Sequence, residues 1–329
     1  MHPRAVVTIN GAPVAGQFWE KLLSLSVTDR EGDRADAVDI ELEDGPPHIA
    51  IPRENDLVQV WLGYEETGVE YMGAYRISNV TVHCIPWRIK VTGEAADMTA
   101  PLKEHRERHW DKKKVGDIVG DVAAEAGLTP QVSAKVGGFQ YDWFGQQSES
   151  GMHMLQRLAD RHNALFTVKD GKLIFAERGS GETAGGAALP PLVIVPQMLI
   201  PGTCEVSFHK RGAHKKIAGE HYDRDEAKRK RHTVDGEDDT EAEYTRRHAY
   251  ASDDEAKAAA GSKSKQLKRE GTTTSCGLEG HPSAKAGRPM TYAGVRPGVD
   301  GLLFVIEEAR HSFSKGQAYR TDVKGKLKA

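Results

Sequence analysis

Two histidines four residues apart, His105 and His109, are the first candidates for chemistry. On one helical face such a pair can share a metal ion. Their segment, KEHRERHW, is dense in cations that would repel a metal, and no further ligand follows at useful spacing, so it reads as a solvated basic surface. The acidic run Glu237-Asp238-Asp239, with Glu241 and Glu243, offers paired carboxylates but lacks the D-x-D-x-D-G-x5-E pattern of a calcium loop. It reads as a charged, solvated face. Lys112-Lys113-Lys114 and Lys228-Arg229-Lys230-Arg231-His232 are basic enough to touch phosphates. Acids offset the second cluster and no aromatic platform accompanies it, so specific nucleic-acid binding is not expected. Phe139, Tyr141, Trp143 and Phe144 form either a carbohydrate platform or, more commonly, the anchor of a small core or interface.

The usual signatures of catalysis are missing. The sequence holds no G-x-x-x-x-G-K-[ST] loop, no H-E-x-x-H and no G-x-S-x-G, and its glycines at 179–186 lack dinucleotide-binding context. The three cysteines, Cys84, Cys204 and Cys276, are widely spaced, which argues against a disulfide framework and a thiolate metal site. The residues therefore assign no catalytic, cofactor-binding or metal-ligating position, and no cofactor is expected.

The elements that would position these groups are mainly β. Val38, Ile40 and Leu42 alternate with Asp39, Glu41 and Glu43, the period of a half-buried strand. Similar runs lie at 6–9, 22–27, 57–62, 77–82 and 87–93, separated by turn signals such as Asn10-Gly11 and Arg30-Glu31-Gly32-Asp33. Many short strands with regular turns predict a sandwich or small barrel. Near residue 98 the pattern changes. Val115, Ile118, Val119, Val122, Ala123 and Ala126 follow helical spacing, with Gly127 as C-terminal cap. Met152, Leu155, Leu158 and Ala159 mark a second helix, capped by Ser148 or Ser150 and ended at Asn163. A hairpin follows around Lys169-Asp170-Gly171.

After a glycine-rich linker at 179–188, β-like runs resume at 204–208 and 302–306. Between them, from Glu220 to Lys257, more than half the residues are charged, with both signs mixed, and part of this stretch reads as a ribbon or loop. Ser252-Asp253-Asp254-Glu255 reads as a capping box. The helix after it carries only a thin apolar stripe of Ala256, Ala259, Ala260 and Leu267. So little apolar area requires docking, and we expect this helix to pack on a barrel or a neighbouring subunit.

A length of 329 residues suggests about two domains, and a net charge of −3 excludes a globally basic, histone-like chain. The most apolar stretch, 189–202, is short and broken by four prolines, so no membrane span is expected. The start of the chain lacks the apolar core of a secretory signal. A soluble protein folding in a reducing cytoplasm is the expectation.

Four segments taken together are more specific: 16–44 (GQFWEKLLSLSVTDREGDRADAVDIELED), 148–179, 232–260 and 287–327. In this order and spacing they resemble the phage late control gene D family, the baseplate hub proteins of contractile tails, related to the hub portion of type VI secretion spike proteins. The resemblance implies a mainly β fold with an α/β segment: two related β-barrel domains of the tail-hub type, assembling as a trimeric ring. It divides the chain into a first barrel (1–98), an α/β middle domain (99–170) and a second barrel (171–329) with a charged extension and helix at about 220–270. It also implies a structural, non-enzymatic role in the virion tail baseplate, assembled in the host cytoplasm. The homotrimer would adapt the sixfold tail tube to the threefold spike. Implied partners are the central spike, the tail tube or tube-initiator protein, the wedge proteins and the tape measure protein. The alternatives are a tail-tip peptidoglycan hydrolase or a peptidoglycan-binding module in the middle domain. The chain ends at Ala329 without a repetitive β-helix, so a spike would be a separate polypeptide.

Overall fold

The alternating run at Val38–Leu42 forms the middle of a strand whose aliphatic residues are buried and whose acids are partly or fully exposed. It belongs to a computed structural model that describes residues 1–14, 16–32, 35–95, 100–169, 171–209, 214–223, 226–236, 241–250, 252–314 and 318–328. The first β region holds β1 (Pro3–Ile9), β2 (Ala12–Pro13), α1 (Gly16–Lys21), β3 (Leu22–Arg30), β4 (Ala37–Glu43), β5 (Leu57–Tyr64), β6 (Gly68–Cys84) and β7 (Trp87–Ala95). The middle segment runs α2 (Ala100–Lys103), β8 (His105–Lys114), α3 (Val115–Glu125), β9 (Thr129–Val132), α4 (Ala134–Gly137), β10 (Gln140–Ser150), α5 (Gly151–Arg161), β11 (Ala164–Lys169) and β12 (Lys172–Glu177). The last part comprises β13 (Leu192–Ile194), β14 (Glu205–Phe208), β15 (Lys216–Asp223), β16 (Lys228–Asp235), β17 (Glu243–Tyr250), α6 (Asp253–Gly271), β18 (Thr272–Glu279), β19 (Pro289–Tyr292), β20 (Leu303–Ser314) and β21 (Arg320–Leu327).

Three hydrophobic cores hold these elements. The first gathers Leu25, Val27, Ile40, Val60 and Ile89, and Tyr319 reaches it from the far end of the chain. The second lies under α3 and α5. The third is built on Ile194, Leu278, Phe304 and Ile306. Each fully buried aliphatic or aromatic side chain contributes about 1.5–3 kcal/mol. The two helices obey their sequence signals. Val115, Ile118, Val119, Val122 and Ala123 face the core, and Gly127 takes the left-handed conformation (φ 70°) just past α3. Of the two candidate serines, Ser150 caps α5, accepting from the His153 N–H.

The two β regions do not form separate closed barrels. They share one 13-stranded sheet whose main path is β14-β18-β21-β20-β3-β4-β7-β6-β5-β1-β2, with β19 and β13 branching from β20. The cause is β20, which is longer than the 302–306 run suggested. Its first residues pair with β19, and beyond a bulge between Ile306 and Glu308 the rest pairs with β3, from Glu308↔Arg30 to Ser314↔Ser24. Among the described residues, β14 and β2 each pair on one side only, so the ladder is open at both ends.

The charged stretch is a ribbon rather than a loop: β16-β15-β17 form a three-stranded sheet of their own. The helix α6 docks mainly on this sheet and also meets β21 and β18 of the large sheet, so the expected packing on the second β region holds in part. Ala256, Ala259 and Ala260 are buried. Gly219 on β15 makes the approach possible, since a Cβ there would fall 2.3 Å from the Ala256 carbonyl oxygen. Among the described residues, no helix is long and apolar enough to cross a membrane.

Candidate functional site

Ion pairs and hydrogen bonds between distant parts of the chain concentrate at the end of β3. Asp29 is in contact with the Lys169 ammonium of β11 and accepts from the Ala286 N–H at 2.8 Å, so one carboxylate ties three parts of the chain together. Asp36 lies 3.0 Å from the same ammonium and accepts from the Arg30 N–H at 2.8 Å. Burial, reinforced by the Asp29 charge, pushes the Asp36 carboxyl up to about 6 despite Lys169. Burial alone would lower the Lys169 pKa, but the two carboxylates outweigh it and hold the ammonium above its ordinary value.

Next along the chain, Arg30 donates to Glu308 at 3.1 Å. Glu31 accepts from the Gly179 N–H at 2.8 Å and from Arg269 of α6 at 3.2 Å. Glu31 and Arg269 side chains are each only 4% exposed. Removing one partner of such a pair costs about 3–5 kcal/mol, because the other is left buried and uncompensated. Gly179 is required twice over: its φ is 68°, and a Cβ there would fall 2.3 Å from the Arg269 guanidinium. The sequence reading took Arg30-Glu31-Gly32-Asp33 only as a turn signal. Nothing local marks these residues as the junction.

The residues singled out from sequence are scattered. His105 and His109 lie on strand β8, not on a helix. Four residues of strand separate them by roughly 13 Å, too far to share an ion. His105 Nδ1 is 3.0 Å from the Ser148 carbonyl, and His109 is paired with Asp111 at 3.3 Å. Lys112–Lys114 are exposed at the end of β8. The second basic cluster is neutralised on β16: Lys230 meets Asp223 at 2.6 Å and Glu226 at 2.7 Å, and Arg231 meets Glu243 at 3.0 Å. Glu237, Asp238 and Asp239 lie outside the described residues. Of the aromatic group, Tyr141 and Phe144 are buried in the middle core and Phe139 packs against it, while Trp143 stays outside at 54% exposure. Cys84 is exposed, Cys204 half-buried and Cys276 buried.

The fold is one shared by solved phage tail proteins and a type VI secretion component. The 43 kDa tail protein of prophage MuSo2 from Shewanella oneidensis superposes with a TM-score of 0.74, over 98% of this chain and 98% of its own, at 14% identity. The tail protein from Neisseria meningitidis MC58 gives 0.67 over 99% and 97%, at 11% identity. The E. coli c3393 protein, a component of the type VI secretion system, gives 0.60 over 98% of this chain and 77% of its own, at 11% identity. These likenesses establish the fold. In sequence, the probable baseplate hub protein of Escherichia phage 186 is 30% identical over 192 residues, which are 58% of this chain and 49% of that protein. That of Escherichia phage P2 is 28% identical over 192 residues, 58% and 50% of the two chains. The chain thus spans about half the length of the curated relatives it matches. The profile of the phage tail baseplate hub (GPD) family matches residues 76–317, and the chain belongs to that family.

Proposed function

We propose that this chain is the structural hub of a contractile phage tail baseplate, or of a related injection machine. Three copies close a ring that adapts the sixfold tail tube to the threefold central spike. The observation that supports this reading is the continuous sheet: within one chain, β20 and β3 join two β regions edge to edge, and both ends of the sheet remain open. A comparable joint between chains gives six β units from three copies and leaves no growing edge. In this reading the barrel-type units are residues 1–98 and 171–329, with 99–170 between them. The buried ion pairs of Asp29, Glu31, Lys169 and Arg269 keep the three parts in one fixed arrangement, as a load-transmitting ring requires. The partners are the central spike, the tube or its initiator, the wedges and the tape measure protein. The site is the tail baseplate of the virion, with assembly in the host cytoplasm. Electron cryo-microscopy of the assembled baseplate tests this: three copies around an open channel are expected, and six copies at this level overturn the two-unit argument.

A further inference from the structure

Trp143 is the member of its aromatic group that the middle core does not take in. Its ring is nevertheless held. A Cβ on Gly145 would fall 2.5 Å from the tip of the indole, so in this rotamer the ring rests beside the bare backbone of β10. His109 on β8 lies beside it at a ring-centroid distance of 6.5 Å and an interplanar angle of 19°. A half-exposed indole beside a strand offers a face on which another ring can stack.

The indole borders a cleft of about 640 Å³ between the middle segment and the charged extension, lined by Phe144, Gln147, Glu149, Arg157, Arg161 and Tyr250 among others. That volume is in the range of small-molecule sites. The polar groups are firmly set. Arg157 donates to the Gly145 carbonyl at 2.7 Å, pairs with the Glu149 carboxylate, and lies 4.8 Å over the Phe144 ring. His153 Nδ1 is 3.2 Å from the same carboxylate. Arg157 and Arg161 are matched around the cleft by Glu149 and Glu255, so it presents no strong field of either sign.

We propose that this cleft binds an uncharged glycan of acetamido sugars, one pyranose ring stacking on Trp143 while hydroxyl and acetamido groups meet the polar lining. An apolar ring face beside balanced donors and acceptors suits a sugar, whose two faces carry C–H groups and whose rim carries hydroxyls. A strongly anionic polymer gains nothing from a charge-balanced cleft, and an apolar peptide would strand its polar groups. This inference does not depend on the ring proposed above. Isothermal titration of the full chain with the hexamer of N-acetylglucosamine tests it. Saturable binding is expected, weakened at least tenfold in Trp143→Ala and retained in part in Trp143→Phe, with unchanged unfolding midpoints because the side chain is exposed. Absence of saturable binding at millimolar hexamer, equal binding by Trp143→Ala, or tighter binding of sulfated dextran overturns it.

Discussion

His311 shows how one side chain couples the two β regions to pH. It lies on β20 opposite Val27 of β3. Its Nε2 donates to the Ala284 carbonyl at 3.0 Å, which leaves Nδ1 to accept from the Tyr319 hydroxyl at 2.8 Å. Burial pulls its pKa from 6.5 down to about 4. Burial does the same to His162, which meets the Tyr141 hydroxyl at 2.8 Å. Each neutral imidazole is favoured in the folded state, while the unfolded chain takes up the proton near 6.5. Their stabilisation is therefore complete above pH 6.5 and is lost as pH falls toward 4, at roughly 3 kcal/mol per residue. Asp36 opposes this. With its carboxyl raised to about 6, it favours the folded state increasingly as pH falls from 6 to 3.8. Two histidines outweigh one carboxyl, so the urea midpoint should drop between pH 7 and pH 4.5. His311→Gln should be less stable at pH 7 yet lose most of that drop, because His162 alone only slightly exceeds the opposing Asp36. An unchanged drop in the variant would mean that His311 is not the proton-linked group.

At the scale of elements, α6 tests how far local signals carry. Ser252 accepts from the Glu255 N–H at 3.3 Å, and Asp253, Asp254 and Glu255 stand in the first turn, where the helix dipole favours negative charge. Ser252→Ala should cost about 1 kcal/mol of local stability. Hydrogen exchange should rise along 252–260 and stay unchanged in β3–β7; protection lost in both would mean that the helix and the first core unfold together. The cap was legible in sequence because it is made within four residues. So were the alternation of β4 and the heptad-like faces of α3 and α5, since each buries one side and exposes the other. The docking partner of α6 was not legible, because the close approach depends on Gly219, a residue without a side chain to form a pattern. The junction was hidden for a related reason: Asp29 and Lys169 are 140 residues apart, and Glu31 and Arg269 are 238 apart. The reading of the aromatic group as the anchor of a small core holds for Tyr141 and Phe144, which are buried, and for Phe139, which packs against that core. Tyr141 and Phe144, three residues apart, both reach the core and leave Trp143 outside.

At the scale of the molecule, the open ends of the sheet are where copies would meet in the proposed ring. β14 is a terminal strand, antiparallel to β18 with Glu205↔Ser275 to Phe208↔Thr272. Just beyond it, the His209 N–H donates to the Gly271 carbonyl at 2.7 Å. Antiparallel alternation then turns the Glu205 and Ser207 amides toward β18 and aims those of Val206 and Phe208 outward. Phe208 is also 61% exposed, an apolar side chain on an unpaired edge. Such an edge invites pairing with another chain unless it is covered. If the proposed ring uses it, Val206→Pro should separate folding from assembly. Proline removes only an outward-facing donor there, and edge strands tolerate it. The variant should keep the thermal midpoint of the isolated chain within a few degrees, because the β14–β18 ladder survives. Ring formation, measured by native mass spectrometry with the spike and tube partners present, should fall at least tenfold. A variant that assembles as well as the parent would put the contact between copies at the other open end, on β1 and β2, where the first four residues of β1 pair with β5 alone.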